Sequence, residues 1–110
     1  MRSYSFLDPW YWREYGNTLE TDEYSNYQWN LTLSEDGPLH HIKNTNNGKV
    51  LGINNSKVIE EDFVEGKLGQ LWDKILEPDS KRYFALRNAE SSMFLYPTSE
   101  KKLELKGSIF

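Results

Sequence analysis

The sequence lacks cysteine entirely. This absence excludes disulfide bonds, thiolate catalysis and cysteine-ligated metal. Long apolar runs are also lacking, so no segment is predicted to span a membrane. The first ten residues, MRSYSFLDPW, have no apolar stretch of the kind that marks a signal peptide. We therefore expect a soluble protein, and the sequence leaves its compartment unknown.

Positive charge is scarce as well. The sequence has thirteen Lys and Arg residues and seventeen Asp and Glu residues, which gives a net charge of −4. Without a basic footprint, neither nucleic acid nor an anionic membrane surface is expected as the main partner. Aromatic residues are plentiful, with four Trp, seven Tyr and five Phe in 110 residues. This composition favours a single domain, residues 1–110, with a small core filled largely by aromatic rings.

An internal repeat is the clearest positive feature. The stretch NTNNGKVLGINNSKVIEE, residues 44–61, aligns with NAESSMFLYPTSEKKLEL, residues 88–105, at a shift of 44. HHIKN aligns with FALRN at the same shift, and YQWNLTL resembles QLWDKIL, which puts Trp29 and Trp72 43 positions apart. A period of this length indicates a repeat-based fold. We expect three units, at about 1–38, 39–82 and 83–110.

Each unit is predicted to consist of short strands. KVLGI, KVIEED, QLWDKIL, MFLYP and KLELKG are rich in β-formers and are bounded by Gly, Asn, Pro or Ser. Residues 80–94 also fit a helix, but their counterpart KNTNNGKVL does not, so we predict strand–turn–strand there. Three units of about four strands predict a closed all-β body with pseudo-threefold symmetry, which leaves few open strand edges.

The third unit is expected to lack its closing strand, because its tryptophan would fall at position 116, beyond Phe110. Three arrangements could fill the gap. The N-terminal segment, with Trp10 or Trp12, could replace the missing strand, and its aromatic content favours this arrangement. Alternatively, a second copy of the chain or a different protein could cover the edge, giving a homo- or hetero-oligomer through the incomplete third repeat.

The pattern of the second unit resembles one lobe of a ricin-B-like β-trefoil lectin. It runs from x-x-Ile-x-Asn at 40–44 through Gly-Lys-x-Leu at 48–51 and Lys-Val at 57–58 to Gln70-Leu71-Trp72, which matches the Gln-x-Trp signature of that family. The resemblance is close over 39–110 and loose over 1–38. It implies a compact β-trefoil with three pseudo-repeats, the last one truncated. It also implies a carbohydrate-binding module without catalytic activity or cofactor.

Motifs for catalysis or metal binding are missing from the sequence. It has no phosphate loop, no nucleophile elbow and no His-Glu-x-x-His. His40 and His41 are adjacent on a predicted strand and point to opposite faces, so they cannot share one metal. We expect one to be half-buried and the other exposed. The carboxylates are scattered, which favours a solvated surface over a glycosidase pair. No catalytic residue, metal or cofactor is predicted.

The candidate ligand-binding residues follow from the family resemblance. Such lectins use an Asp or Asn to bind sugar hydroxyls and an aromatic ring beneath the sugar. The candidates are Asp8 with Trp10 or Tyr11 in the first unit, and Asp62 with Phe63 in the second. In the alternative interpretation, the tryptophans of the N-terminal segment fill the core and its tyrosines only rim it.

Three other residues are predicted to build the core. Trp29 and Trp72 lie in alternating strand patterns and should meet near the pseudo-threefold axis. Gln70 should bond backbone groups, because a buried amide must be satisfied. The leading functional hypothesis is therefore glycan binding. The alternative is a protein-interaction trefoil, such as an inhibitor, a toxin-associated subunit or an accessory subunit, that uses its loops or an open edge, since trefoils serve both purposes.

Overall fold

The computed structural model describes residues 11–15, 18–20, 29–34, 37–78, 82–99 and 102–107. These residues form β-strands and one single-turn 3-10 helix, which confirms the predicted all-β class. None of the helical structure in the described ranges is long and apolar enough to cross a membrane. The strands are β1 Arg13–Tyr15, β2 Thr18–Glu20, β3 Trp29–Leu33, β4 His40–Asn44, β5 Val50–Asn54, β6 Lys57–Glu61, β7 Trp72–Leu76, β8 Phe84–Asn88, β9 Phe94–Ser99 and β10 Lys102–Lys106; the 3-10 helix is Leu68–Gln70.

The strands form one large sheet and one small ladder. The large sheet has the order β10-β9-β8-β7-β4-β5-β6, with β3 also paired to β4. The small ladder pairs β1 with β2. The two are joined by a bridge in which the backbones of Trp12 and Phe84 exchange N–H···O bonds of 2.7 and 2.9 Å. The stretch that also fitted a helix contains β8, a turn and the first residue of β9, so the strand–turn–strand prediction is confirmed for its described residues.

The 44-residue repeat is reproduced in the hairpin between the first and second strands of a unit. Lys43 pairs with Val50 across β4 and β5, and Arg87 pairs with Phe94 across β8 and β9. In both hairpins an Asn shapes the turn. The Oδ1 of Asn44 accepts from two backbone N–H groups over 2.7 and 3.2 Å, and the Oδ1 of Asn88 accepts from two over 3.0 Å each. The two residues thus act as the turn formers that sequence indicated.

Two tryptophans occupy matching places in successive units. Trp29 lies opposite Asn44 in the β3–β4 ladder, and Trp72 lies opposite Asn88 in the β7–β8 ladder. Trp72 also lies opposite His40 across β7 and β4. Because His40 and Phe84 are 44 residues apart, Trp12 stands opposite Phe84 as Trp72 stands opposite His40. The Trp12 segment therefore occupies the position where the repeat calls for a third closing tryptophan.

Strand β2 fits the same register. Leu19 lies opposite Glu14, two residues after Trp12. Leu86 lies opposite Lys74, two residues after Trp72, and Ile42 lies opposite Leu31, two residues after Trp29. Each of these three aliphatic side chains is at most 1% exposed. Strand β2 is therefore the equivalent, in the first unit, of β4 and β8. The unit boundaries 1–38, 39–82 and 83–110 stay a prediction.

The core is built from inward-facing residues of all three units. Trp12, Trp29 and Trp72 contribute its indoles, with 1%, 8% and 0% of their surface exposed. Gln70 is also fully buried, so it lies in the interior together with Trp29 and Trp72. The cluster as a whole consists of Trp12, Leu19, Trp29, Ile42, Leu51, Trp72, Phe84, Leu86 and Leu95.

Candidate functional site

A surface cleft of about 450 Å³ lies on the outer face of β3, β4 and β5, under the loop of residues 62–67. Its position follows from strand alternation. Ile42 points into the core, so its neighbours His41 and Lys43 point outward from β4. Thr32, which pairs with His41 across the ladder, shares that outer face. We call this feature the His41–Phe63 cleft; it is lined by Thr32, Leu33, Ser34, His41, Lys43, Gly48, Val50, Phe63, Glu65, Gly66 and Leu71.

The loop over the cleft is held by Gln70. The Nε2 of Gln70 donates to Glu61 Oε2 over 2.8 Å and to the carbonyl oxygen of Asp62 over 2.9 Å. Its Oε1 accepts from the backbone N–H of Val64 over 2.9 Å. One buried amide thus fixes the chain on both sides of Phe63. Because the Gln-x-Trp motif places this amide next to a core tryptophan, the position of the Phe63 loop is tied to the core.

Glu61 completes the attachment of the loop. Lys67 Nζ lies 2.9 Å from Glu61 Oε1, so the two ends of the loop are bridged. Burial by itself raises the pKa of the Glu61 carboxyl, but the hydrogen bonds from Gln70 and Lys67 and the charge of Lys67 outweigh it and lower that pKa. A side chain at Gly52 would collide with the Glu61 carboxylate, so the glycine makes room for this bridge. The loop anchor is therefore charged at neutral pH.

Phe63 supplies an open aromatic surface at the cleft. About half of it, 51%, is exposed, although its ring makes a T-shaped contact with the His41 imidazole, with centroids 4.7 Å apart and planes at 82°. The contact with His41 positions the ring and leaves about half of the side chain accessible. An aromatic ring that is fixed and open in this way offers an apolar face to a ligand.

His41 adds an unused polar atom at the same place. Within the described part of the chain, its Nε2 is buried and has no hydrogen-bond partner. Burial lowers the pKa of the imidazole below its ordinary 6.5, and the positive charge of His40 lowers it further. His41 is therefore neutral at pH 7. A neutral imidazole with a free nitrogen can exchange a hydrogen bond with a hydroxyl group.

His40 and His41 do point to opposite faces, but both are partly buried. The expectation that one would be exposed was wrong, because the Phe63 loop covers the outward histidine. Across the described ranges, no group of three or more His, Cys, Asp or Glu side chains could hold a metal ion.

The predicted ligand residues are distributed unevenly. Phe63 lines the cleft. Asp62 precedes it in the loop, with 91% of its side chain exposed and its carboxylate 3.9 Å from Lys49 Nζ. Tyr11 is only 3% exposed and has no open ring face for a ligand. Asp8 and Trp10 lie outside the described residues.

Sequence reasoning missed His41, Lys43 and Glu65 as lining residues. These residues come together at the cleft only after folding, because they belong to a strand and a loop that are about 20 positions apart in the sequence. One available signal was the pair Phe63-Val64 beside Gly66, which places apolar residues in a turn-rich segment instead of a strand.

Comparison with known proteins agrees with this geometry. The sequence profile described as ricin-type beta-trefoil lectin domain-like matches residues 25–103, well over half of the chain. The chain belongs to this family. The predicted β-trefoil with three pseudo-repeats is thereby confirmed, since the strand pairings repeat in the way described above. No curated protein and no solved structure matches this β-trefoil chain.

Proposed function

We propose that this β-trefoil binds carbohydrate in the His41–Phe63 cleft and does not catalyse a reaction on it. Membership of the ricin-type lectin-like family supports glycan binding in general. The observation that carries the proposal is the half-exposed ring of Phe63, fixed at the edge of a cleft of about 450 Å³. A cleft of this size fits one or two sugar rings, with polar groups around an apolar wall.

The polar groups of the cleft suit a polyhydroxylated ligand. His41, whose buried Nε2 has no hydrogen-bond partner among the described residues, lines the cleft together with Thr32 and Glu65. Carboxylate and imidazole groups accept hydrogen bonds from sugar hydroxyls, while the C–H face of the sugar packs on the phenyl ring. Asp62 is adjacent and could take part after leaving Lys49, since that pair is exposed and weak.

A glycan array followed by calorimetric titration of the best ligand tests the proposal. Phe63→Ala should weaken binding by roughly tenfold, which corresponds to about 1.4 kcal/mol for the lost ring contact. Leu76→Ala is the matched control, because Leu76 is as exposed as Phe63, at 52%, and does not line the cleft. Equal binding by the Phe63→Ala variant, or no binding across a broad glycan array, would contradict the proposal.

Protein binding is the second candidate function. Four exposed apolar side chains cluster in and beside the same loop, namely Leu33 at 59%, Phe63 at 51%, Val64 at 50% and Leu68 at 54%. Such a patch also suits a protein partner. The two functions differ at Val64 and Leu68, which lie outside the cleft lining. Their substitution by Ser should leave glycan binding unchanged and should abolish binding of a protein that covers the loop.

A further inference from the structure

We infer that the saccharide bound in the His41–Phe63 cleft carries an anionic group, and that Lys43 binds this group. This inference rests on the proposed function and narrows the class of ligand. It starts from a comparison of three equivalent positions in the sheet. In each ladder we compare the residue that follows the tryptophan with its partner on the neighbouring strand. The three pairs are Arg13–Glu20, Asn30–Lys43 and Asp73–Arg87.

Two of the three cross-strand pairs join residues of opposite charge. Arg87 Nη2 lies 3.3 Å from Asp73 Oδ2, and Arg13 stands opposite an acidic residue, Glu20, in the register. Opposite charges directly across a ladder stabilise a sheet. The pair beside the cleft departs from this pattern, because Lys43 faces the uncharged Asn30. The register therefore leaves the charge of Lys43, which lines the His41–Phe63 cleft, without an opposite charge across the ladder.

Among the described residues, no carboxylate pairs with Lys43 in place of the missing one. Within the described ranges, the neighbouring lysines are occupied, Lys49 near Asp62 and Lys67 with Glu61. The side chain of Lys43 makes no ion pair or hydrogen bond with any residue that the structure describes. In a chain with a net charge of −4, a cation that lines a cleft and lacks a partner is available to a ligand.

The other charged group of the cleft, Glu65, sets the orientation of the ligand. It also makes no ion pair among the described residues. Its carboxylate repels an anion and accepts hydrogen bonds from hydroxyls. An acidic sugar fits both groups when its carboxylate or sulfate contacts Lys43, its hydroxyls face Glu65 and its apolar face lies on Phe63.

Titration calorimetry with matched glycosides tests the inference. The probes are methyl glucuronide, methyl galacturonide and 6-sulfated methyl galactoside, each compared with the neutral methyl glucoside or galactoside. At low ionic strength we expect an acidic probe to bind about fivefold more tightly than its neutral partner, as one partly exposed charge contact allows. The preference should shrink toward unity in about 0.5 M NaCl, where the contact is screened. The carboxylate and sulfate probes distinguish the two kinds of anion.

Variants then assign the preference to one side chain. Lys43→Gln should abolish the preference, so that an acidic probe and its neutral partner bind this variant equally, and Lys43→Arg should restore it. Lys57→Gln is the control, because Lys57 is exposed at the start of β6 and does not line the cleft. Equal binding of acidic and neutral probes would overturn the inference and leave the proposed function standing. A preference that survives Lys43→Gln would overturn the assignment to Lys43, and a failure of every sugar to bind would overturn the proposed function itself.

Discussion

The indole Nε1 of Trp12 donates a hydrogen bond of 3.2 Å to the carbonyl oxygen of Leu95. The indole of Trp72 makes the same bond, also 3.2 Å, to the carbonyl oxygen of Leu51. Leu51 and Leu95 are 44 residues apart in the sequence. A residue near the beginning of the chain therefore does in the third unit what Trp72 does in the second.

Trp12→Ala should destabilise the fold as much as Trp72→Ala does. Both indoles are at most 1% exposed, and emptying a buried aromatic site costs about 3–5 kcal/mol. Trp12→Phe keeps most of the packing and should lose about 1 kcal/mol for the hydrogen bond together with part of the ring volume. Urea denaturation of the three variants measures these losses. A cost below about 1 kcal/mol for Trp12→Ala would show that this residue does not close the third unit.

The two turn asparagines should differ in their contributions to stability. Asn88 is fully buried, and its Nδ2 also donates to the carbonyl oxygen of Gly69 over 2.9 Å. Asn44 shapes its turn at a partly exposed site. Asn88→Ala leaves buried groups without partners and should cost about 2–4 kcal/mol, whereas Asn44→Ala should cost about 1 kcal/mol. Equal losses in thermal and chemical denaturation would refute the difference.

Gln70→Ala should loosen the Phe63 loop before the rest of the fold. The substitution removes the acceptor of the Val64 N–H and a donor to Glu61, and it opens space in the core, at a cost of about 2 kcal/mol or more. Hydrogen exchange should therefore speed up at the Val64 amide. Asn47→Ala is a useful control, since it removes two exposed hydrogen bonds of 2.9 Å, one to Glu60 and one from the Lys49 N–H, and should cost no more than about 1 kcal/mol. Unchanged protection at Val64 in the Gln70→Ala variant would argue against the anchor.

Stability should fall as the pH drops below about 6.5, the value at which histidine titrates in an unfolded chain. Burial lowers the pKa of His40, as does the charge of Lys74, although Glu14 and Asp73 oppose this. Burial and the charge of His40 lower the pKa of His41. Because both folded-state values are depressed, the unfolded chain binds more protons in this window. The stabilisation is fully present above about pH 6.5 and is lost as the pH falls through the folded-state values.

The double variant His40→Gln/His41→Gln tests this pH dependence. Urea midpoints measured between about pH 7 and 5 should fall for the unmodified protein and change less for the variant. An identical slope in both proteins would assign the pH dependence to other groups.

The all-β fold was predictable because equivalent segments of the repeat can be compared, and both must adopt the same secondary structure. The stretch 80–94 fitted a helix by itself, and only its counterpart KNTNNGKVL, residues 43–51, argued against one. The register of Trp29 and Trp72 against Asn44 and Asn88 follows from the same repeat. The position of Trp12 was only one of several possibilities, because its pairing with Phe84 spans 72 positions and has no local sequence signal.

The candidate site was predicted only in part. Phe63 was identified through the resemblance to the lectin family, which implies an aromatic ring beside an Asp such as Asp62. His41 and Lys43 were not, because outward strand positions look alike until a loop folds over them. The loop position depends on Gln70, whose three hydrogen bonds could not be assigned from the Gln-x-Trp motif.

The most direct measurement for the proposed site is a ¹H–¹⁵N correlation spectrum of the protein recorded during titration with a bound saccharide. Amide shifts should move at residues 41–43 and 63–66, which lie on the two sides of the His41–Phe63 cleft. The same titration of Phe63→Ala should leave these amides unmoved at equal ligand concentration. Shift changes confined to other surfaces, with residues 41–43 and 63–66 unaffected in the unmodified protein, would show that carbohydrate binds elsewhere or not at all.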